Sequence, residues 1–165
     1  MTLSRLLLTP FIALLLLASP GDMSLDQTGE AQAANLGALG GTWRGGGKLR
    51  LEGGKSERLR CRAYYNPKAG GKRLGMAIRC ASTSYKIELR SQLAVAGNRV
   101  TGSWEERNFN ATGSLFGSSR PGRLTLSVSG SVKAKLFVTY GGRRQTVRLT
   151  GDIGGFRGIS LALRR

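Results

Sequence analysis

The sequence has no histidine, only two cysteines and few acidic residues. Its 165 residues include nine Asp and Glu against 26 Lys and Arg. Without histidine, Ser-His-Asp and Cys-His triads and His-rich zinc sites cannot be built. Two cysteines are too few for a Cys₄ metal site and cannot hold an iron–sulfur cluster alone. We therefore expect a protein that is not an enzyme and that carries no metal and no other cofactor.

Long hydrophobic runs are also lacking, apart from one stretch near the N-terminus. Residues 6–18 are apolar except for Thr9 and Pro10. Crossing a bilayer takes about 20 apolar residues, so this stretch is too short for a stable transmembrane helix. It has the length of a secretory signal, and Ala31-Gln32-Ala33 is a cleavage motif of the A-x-A type. The prediction is a signal peptide over 1–33, a flexible lead-in over 34–40 and a periplasmic or secreted protein.

The positive charge is concentrated in the part that follows the predicted signal peptide. Residues 1–33 hold one cation and three acids, a net charge of −2, so the whole-chain charge of +17 leaves +19 on the other 132 residues. Such an imbalance makes intramolecular salt bridges scarce and self-repulsion strong. The folded state must therefore be held by its core and by any covalent cross-link.

The two cysteines, Cys61 and Cys80, are predicted to form a disulfide. An even pair in an exported chain is normally oxidised. The two residues lie symmetrically about the turn at 68–71, so they can face each other across neighbouring strands of a hairpin. Directly opposed residues in such a pair have Cβ atoms about 4.5 to 5.5 Å apart, close to the range of a disulfide.

Apolar and polar residues alternate along most of the chain beyond residue 40. Leu59, Cys61 and Ala63 fall on one face of a strand, and the intervening positions are all arginine. The same alternation recurs in later segments, which are separated by glycine-rich turns at intervals of about 8 to 15 residues. Strict alternation is typical of half-buried antiparallel strands. We therefore predict an all-β fold of eight to ten strands.

Local connections favour an up-and-down meander, and open edges would invite aggregation, so we expect the sheet to close on itself. Glycines inside the predicted strands, such as Gly102 and Gly113, suit the bends of a small barrel. The fold prediction is a single antiparallel β-barrel domain over 41–165.

Gly41-Thr42-Trp43 stands at the start of the first predicted strand, and the same G-x-W spacing recurs at Gly102-Ser103-Trp104. In a small secreted barrel this motif resembles the calycins, which include the lipocalins and avidins. The resemblance implies that Trp43 and Trp104 pack at the ends of a barrel. The stretches 41–47, 79–82 and 102–106 are also similar to small exported proteins of proteobacteria. A shared fold of this kind does not define a ligand.

The strongest indication of function is a basic face. If the strands pair in chain order, cations on the polar face form one continuous basic wall that only Glu88 interrupts: Arg58, Arg60, Arg62, Arg79, Lys86 and Arg90. Guanidinium groups suit phosphate and carboxylate groups, and Tyr64 and Tyr65 could stack on sugar rings. We predict binding to envelope polyanions, namely lipopolysaccharide, acidic polysaccharide or anionic lipid, with no specific nucleic acid and no transmembrane span in the mature chain.

Two other functions remain open from the sequence. A calycin-type carrier of a small apolar molecule would need a cavity lined by Trp43, Trp104 and inward leucines. A small barrel inhibitor of proteases would need an ordered loop or arm near 34–40. The run Gly45-Gly46-Gly47-Lys48 looks superficially like a phosphate loop, but Leu49 follows the lysine and no helix is predicted next, so we interpret it as a flexible strand segment or bulge.

Overall fold

The structure is a computed structural model that describes residues 35–165. The signal peptide predicted over 1–33 lies outside the described residues. Ten strands make up most of the described chain: β1 (Gly41–Leu51), β2 (Ser56–Lys68), β3 (Arg73–Ala81), β4 (Lys86–Ala96), β5 (Arg99–Glu106), β6 (Ala111–Arg120), β7 (Arg123–Gly130), β8 (Lys133–Gly141), β9 (Arg144–Asp152) and β10 (Phe156–Arg164).

The strands form one closed antiparallel barrel. Each strand pairs with the next along the chain, and β10 returns to pair with β1. The predicted meander is confirmed, with a strand number at the upper end of the expected range. Closure gives every strand two neighbours, so no edge is left to pair with another chain. Within the described part of the chain, no helix is long and apolar enough to cross a bilayer.

The barrel interior is filled by one face of each strand. In β2, the residues at alternate positions are buried while the intervening arginines are exposed, as the alternation predicted. Trp104 on β5 is 7% exposed, and its indole Nε1 donates a hydrogen bond to the carbonyl oxygen of Ser129 at 3.0 Å. The inward side chains form a single apolar cluster that runs around all ten strands.

One end of the barrel is closed by the segment that precedes β1. Residues Leu36–Leu39 form a short 3₁₀ helix in which Leu36 and Leu39 are fully buried. The indole Nε1 of Trp43 donates to the carbonyl oxygen of Leu39 at 2.7 Å. The Arg165 guanidinium lies 4.9 Å from the Trp43 ring centroid, a cation–π contact, and donates to the carbonyl oxygen of Gly40. In the described part of the predicted lead-in, residues 35–40, these contacts hold a plug with two buried leucines in place of a flexible segment.

The other end of the barrel is covered by aromatic side chains. Phe156 is buried, and the rings of Tyr85 and Phe109 meet it edge-on, with centroids 4.9 and 5.8 Å away. Such edge-to-face pairs add to the energy of burial. Phe109 itself is half exposed, because it lies on the loop between β5 and β6.

Cys61 and Cys80 form a disulfide between β2 and β3. They are direct cross-strand partners, and their Cα atoms are 4.1 Å apart. Both side chains are buried on the inner face of the barrel. The predicted pairing and the predicted register of this hairpin are therefore present in the structure.

Removal of the disulfide should destabilise the barrel without changing its fold. The bond joins two residues that are 19 positions apart in the chain. In the chain-entropy description, a loop of this size contributes about 3 kcal/mol to the free energy of unfolding. Urea unfolding of C61A/C80A should show a loss of this size. Two free thiols in non-reducing peptide maps of the wild type would contradict the assignment.

Trp43 should be a major contributor to stability through its contact with the plug. Because its side chain is fully buried, Trp43→Ala should lower the free energy of unfolding by about 3 to 5 kcal/mol. The exposed Tyr64→Ala, a matched aromatic truncation in β2, should change it by no more than about 0.5 kcal/mol. Wild-type tryptophan emission should be blue-shifted and poorly quenched by iodide, and water-like emission would contradict burial of both indoles.

Candidate functional site

A shallow basic groove runs over the outer face of β1 to β4. It consists of two adjoining depressions of about 570 and 560 Å³, which share Gly45 and Arg60. Seven cationic side chains and two acidic ones line them, a formal charge of +5: Arg44, Lys48, Arg58, Arg60, Arg62, Arg79 and Lys86, with Glu57 and Glu88. We call this surface the basic groove.

The floor of the groove depends on three consecutive glycines in β1. A Cβ atom at Gly45, Gly46 or Gly47 would lie 1.8 to 2.2 Å from a backbone carbonyl oxygen of β10 or β2. The neighbouring strands therefore approach β1 more closely than any side chain would permit. With no side chains between Arg44 and Lys48, the outer surface is open there. The interpretation of this run as a strand segment holds, since it lies in the middle of β1.

The structure brings together five of the six predicted wall residues. Arg58, Arg60, Arg62, Arg79 and Lys86 all line the groove. Arg90 does not. Its guanidinium is turned toward Glu88, with Nη2 3.0 Å from the carboxylate, and its Nε is buried without a hydrogen-bond partner.

Like charges face each other across the strands of the groove. Arg62 is the direct partner of Arg44 on β1 and of Arg79 on β3, and Lys48 is the partner of Arg58. All five side chains are exposed. Like charges directly opposite one another destabilise a sheet. An anion bound above these pairs would remove the repulsion, so the arrangement favours anion binding.

The Glu88 carboxylate forms ion pairs with three arginines at one edge of the groove. Its Oε1 atom lies 3.0 Å from Arg90, 3.4 Å from Arg79 and 3.7 Å from Arg107. The hydrogen bond from Arg90, together with the charge of Arg79, lowers the pKa of Glu88 below its usual value. The carboxylate is therefore ionised near neutral pH and holds three guanidinium groups in place.

The second acid of the groove, Glu57, is bound by the loop between β3 and β4. Its Oε2 accepts a hydrogen bond from the backbone N–H of Ser84 at 3.2 Å. Hydrogen bonding from the side chain of Ser82 is the main cause of the lowered pKa of Glu57. Neither groove carboxylate is thus poised to donate a proton at neutral pH.

The two tyrosines beside Arg62 have different roles. Tyr64 is exposed, and its hydroxyl accepts a hydrogen bond from Arg62 at 3.4 Å, so its ring is available on the outer surface. Tyr65 is buried inside the barrel, where its hydroxyl pairs with Gln145, and burial raises the pKa of Tyr65 to about 12. The expectation that Tyr65 could stack on a ligand is therefore wrong, because the alternation of β2 turns it inward.

The groove also contains two cations outside the predicted wall. Arg44 and Lys48 alternate with the buried Trp43 and Leu49, and this alternation places them on the outer face. The glycines between them carry no side chain and so obscure the alternation.

The far side of the barrel is chemically different. The outer faces of β5, β6 and β7 carry hydroxyl side chains and the exposed Phe116, and their charges stand only near the strand ends, at Arg99, Glu105, Arg120 and Arg123. The basic groove and the outer face of β5 to β7 therefore differ in charge, because cations are concentrated in the groove.

Comparison with known proteins does not place the chain in a family. No protein-family model matches it, and no curated protein is significantly similar to it. Among residues 35–165, no three His, Cys, Asp or Glu side chains lie close enough together to hold a metal ion.

Substitution of a groove-floor glycine should be far more damaging than substitution of an open one. Gly47→Ala forces a methyl group against the Ser160 carbonyl, so we expect it to lower the free energy of unfolding by about 1 to 3 kcal/mol or more. Gly141→Ala meets no atom within 4 Å and should change it by no more than about 0.5 kcal/mol. Equal urea midpoints for the two variants would contradict the close approach of β1 and β10.

Proposed function

We propose that this protein is an exported, non-enzymatic binding protein whose basic groove engages envelope polyanions. The observation that carries the proposal is the lining of the groove, which has seven cationic and two acidic side chains. Soluble surfaces normally intersperse charges of both signs. A one-sided accumulation of this kind attracts polyanions and raises their rate of association.

The chemistry of the groove suits carboxylate and phosphate groups. Most of its cations are arginines, whose planar fork donates two parallel hydrogen bonds to such groups. The ligand classes that combine these groups at a bacterial surface are lipopolysaccharide, acidic polysaccharide and anionic lipid. The disulfide between Cys61 and Cys80 supports an oxidising compartment, the periplasm or the exterior. The barrel and its two G-x-W motifs support a calycin-like origin.

The two alternative functions have less support. A carrier needs an interior cavity, yet Trp43 and Trp104, which would line it, pack into the apolar cluster at 0% and 7% exposure. A protease inhibitor would present its arm to the enzyme, yet Leu36 and Leu39 are buried in the plug. Histidine-based catalysis is excluded because the chain has no histidine, and both groove carboxylates, with their lowered pKa values, are poor general acids at neutral pH.

Charge reversal in the groove should abolish much of the binding to anionic matrices. Affinity should fall by orders of magnitude between roughly 50 and 200 mM salt if several charges are neutralised, as in the counterion release seen with nucleic acids. Arg60→Glu with Arg62→Glu should weaken retention on acidic polysaccharide, lipopolysaccharide and heparin, with little change in the free energy of unfolding. The measurement is a salt titration of retention on each matrix.

The matched control is Arg120→Glu with Arg123→Glu, which changes the net charge equally on the far side of the barrel. Its retention should stay closer to that of the wild type. Equal retention of wild type and the Arg60/Arg62 variant would show that the groove is only a soluble surface, and the carrier function would then be favoured.

A further inference from the structure

Five arginines stand in one register row across half of the barrel. Arg44 on β1 is the direct partner of Arg62 on β2 and of Arg164 on β10. The row continues from Arg62 to Arg79 on β3, and from Arg164 to Arg144 on β9. All five side chains are exposed. We call these residues the arginine row. It extends the basic groove past β1 onto the last two strands of the chain.

The arginine row runs diagonally from one end of the barrel to the other. Arg144 begins β9 and Arg164 ends β10, both at the plugged end. Arg79 lies near the end of β3 that faces away from the plug. The four gaps between adjacent strands make the row at least about 19 Å long at the backbone, because neighbouring strands lie about 4.8 Å apart.

A trough of small side chains accompanies the row on β9, β10 and β1. Thr146, Ala162 and Gly46 are in register with one another, two residues along from the row. A second set of cations closes the far side of the trough, where Arg148, Lys48 and Arg58 stand on the next outward positions. The two cationic borders are about 13 Å apart along β1, four residues at about 3.3 Å each.

Resting on the proposed function, we propose that the ligand is a flexible, linear acidic polysaccharide that follows the arginine row, beside the trough on β9, β10 and β1, and wraps diagonally around half of the barrel. One acidic group per sugar is paired with successive guanidiniums of the row. The polymer thereby screens four consecutive like-charge contacts, from Arg144 to Arg79, that otherwise destabilise the sheet.

The shape of the surface selects a flexible chain. The row covers five of the ten strands of a closed barrel, so its two ends face in widely different directions. A planar bilayer or a straight nucleic-acid duplex that touches Arg44 cannot reach Arg144 and Arg79 at the same time. A polymer with rotatable links between its units can follow the convex wall.

The composition of the trough favours sugars over single-stranded nucleic acid. Proteins that bind single strands combine cations with aromatic side chains on which successive bases stack. The trough positions Thr146, Ala162 and Gly46 carry no aromatic ring. The exposed rings nearest the two cationic borders are Tyr64 on β2 and Phe137 on β8, the direct partner of Arg148. Two rings on separate strands offer single sugars a stacking surface but offer no continuous platform to bases.

The experiment compares two double variants that remove equal charge from the same end of the barrel. Arg144→Gln with Arg164→Gln shortens the arginine row, and Arg120→Gln with Arg123→Gln removes two cations from the β6–β7 hairpin. Binding of each to polygalacturonate is measured as a function of salt. The first variant should lower the slope of log affinity against log salt by about 2, since each lost ionic contact removes about 1, and the second should leave the slope unchanged.

Affinity for oligogalacturonates should also increase with their length until the row is filled, and this increase should stop earlier in the Arg144/Arg164 variant. Thermal unfolding of both variants checks that they are folded. Equal slopes for the two double variants would overturn the wrapped path. Failure of the folded wild type to bind polygalacturonate, lipopolysaccharide and heparin at low salt would instead overturn the proposed function itself.

Three further probes test the choice of polymer. Vesicles containing anionic lipid, and both duplex and single-stranded DNA, are compared with polygalacturonate at the same salt and the same concentration of charge. Tighter binding of the polysaccharide supports the proposal. Tighter binding of the vesicles or of either DNA would overturn it in favour of that ligand.

Discussion

The pairing of β1 with β10 is the interaction on which the rest of the structure depends. It closes the barrel, so that every strand has two hydrogen-bonded neighbours. The close approach of β10 to Gly45 and Gly47 allows this pairing on the side where the groove opens. The same contact places the cations of β9 and β10 beside those of β1 and β2. The integrity of the fold and the continuity of the basic surface therefore have one structural origin.

The barrel must hold together against its own charge. Four ion pairs occur among the described residues; three converge on Glu88, and the fourth joins Arg157 to Glu52. Exposed pairs of this kind contribute little to stability. The stability of the fold therefore comes from the interior, from the apolar cluster, the plug and the disulfide between β2 and β3. The outer face is free to carry unfavourable charge because the inner face is apolar on all ten strands.

Much of this architecture could be predicted from the sequence, because apolar and polar residues alternate along a strand that has one buried and one exposed face. The alternation around Cys61 predicted the buried and exposed faces of β2, and the symmetry of the cysteines predicted its register with β3. The plug could not be predicted in this way, since Leu36-Gly37-Ala38-Leu39 is too short for a periodic pattern and two glycines follow it. The arginine row could not be found either, because alternation within a strand does not tell which distant strand will lie beside it.

The contrast between the basic groove and the hydroxyl-rich face of β5 to β7 affects how the protein orients itself while it approaches a charged partner. Positive charge concentrated on one side of a barrel, opposite a side that carries fewer cations, gives the protein an electric dipole moment. In the field of a distant polyanion the molecule experiences a torque as well as an attraction, and it turns its cationic side forward. The orientational search that slows most associations is thereby shortened, and the exposed cations of the basic groove make the first contact.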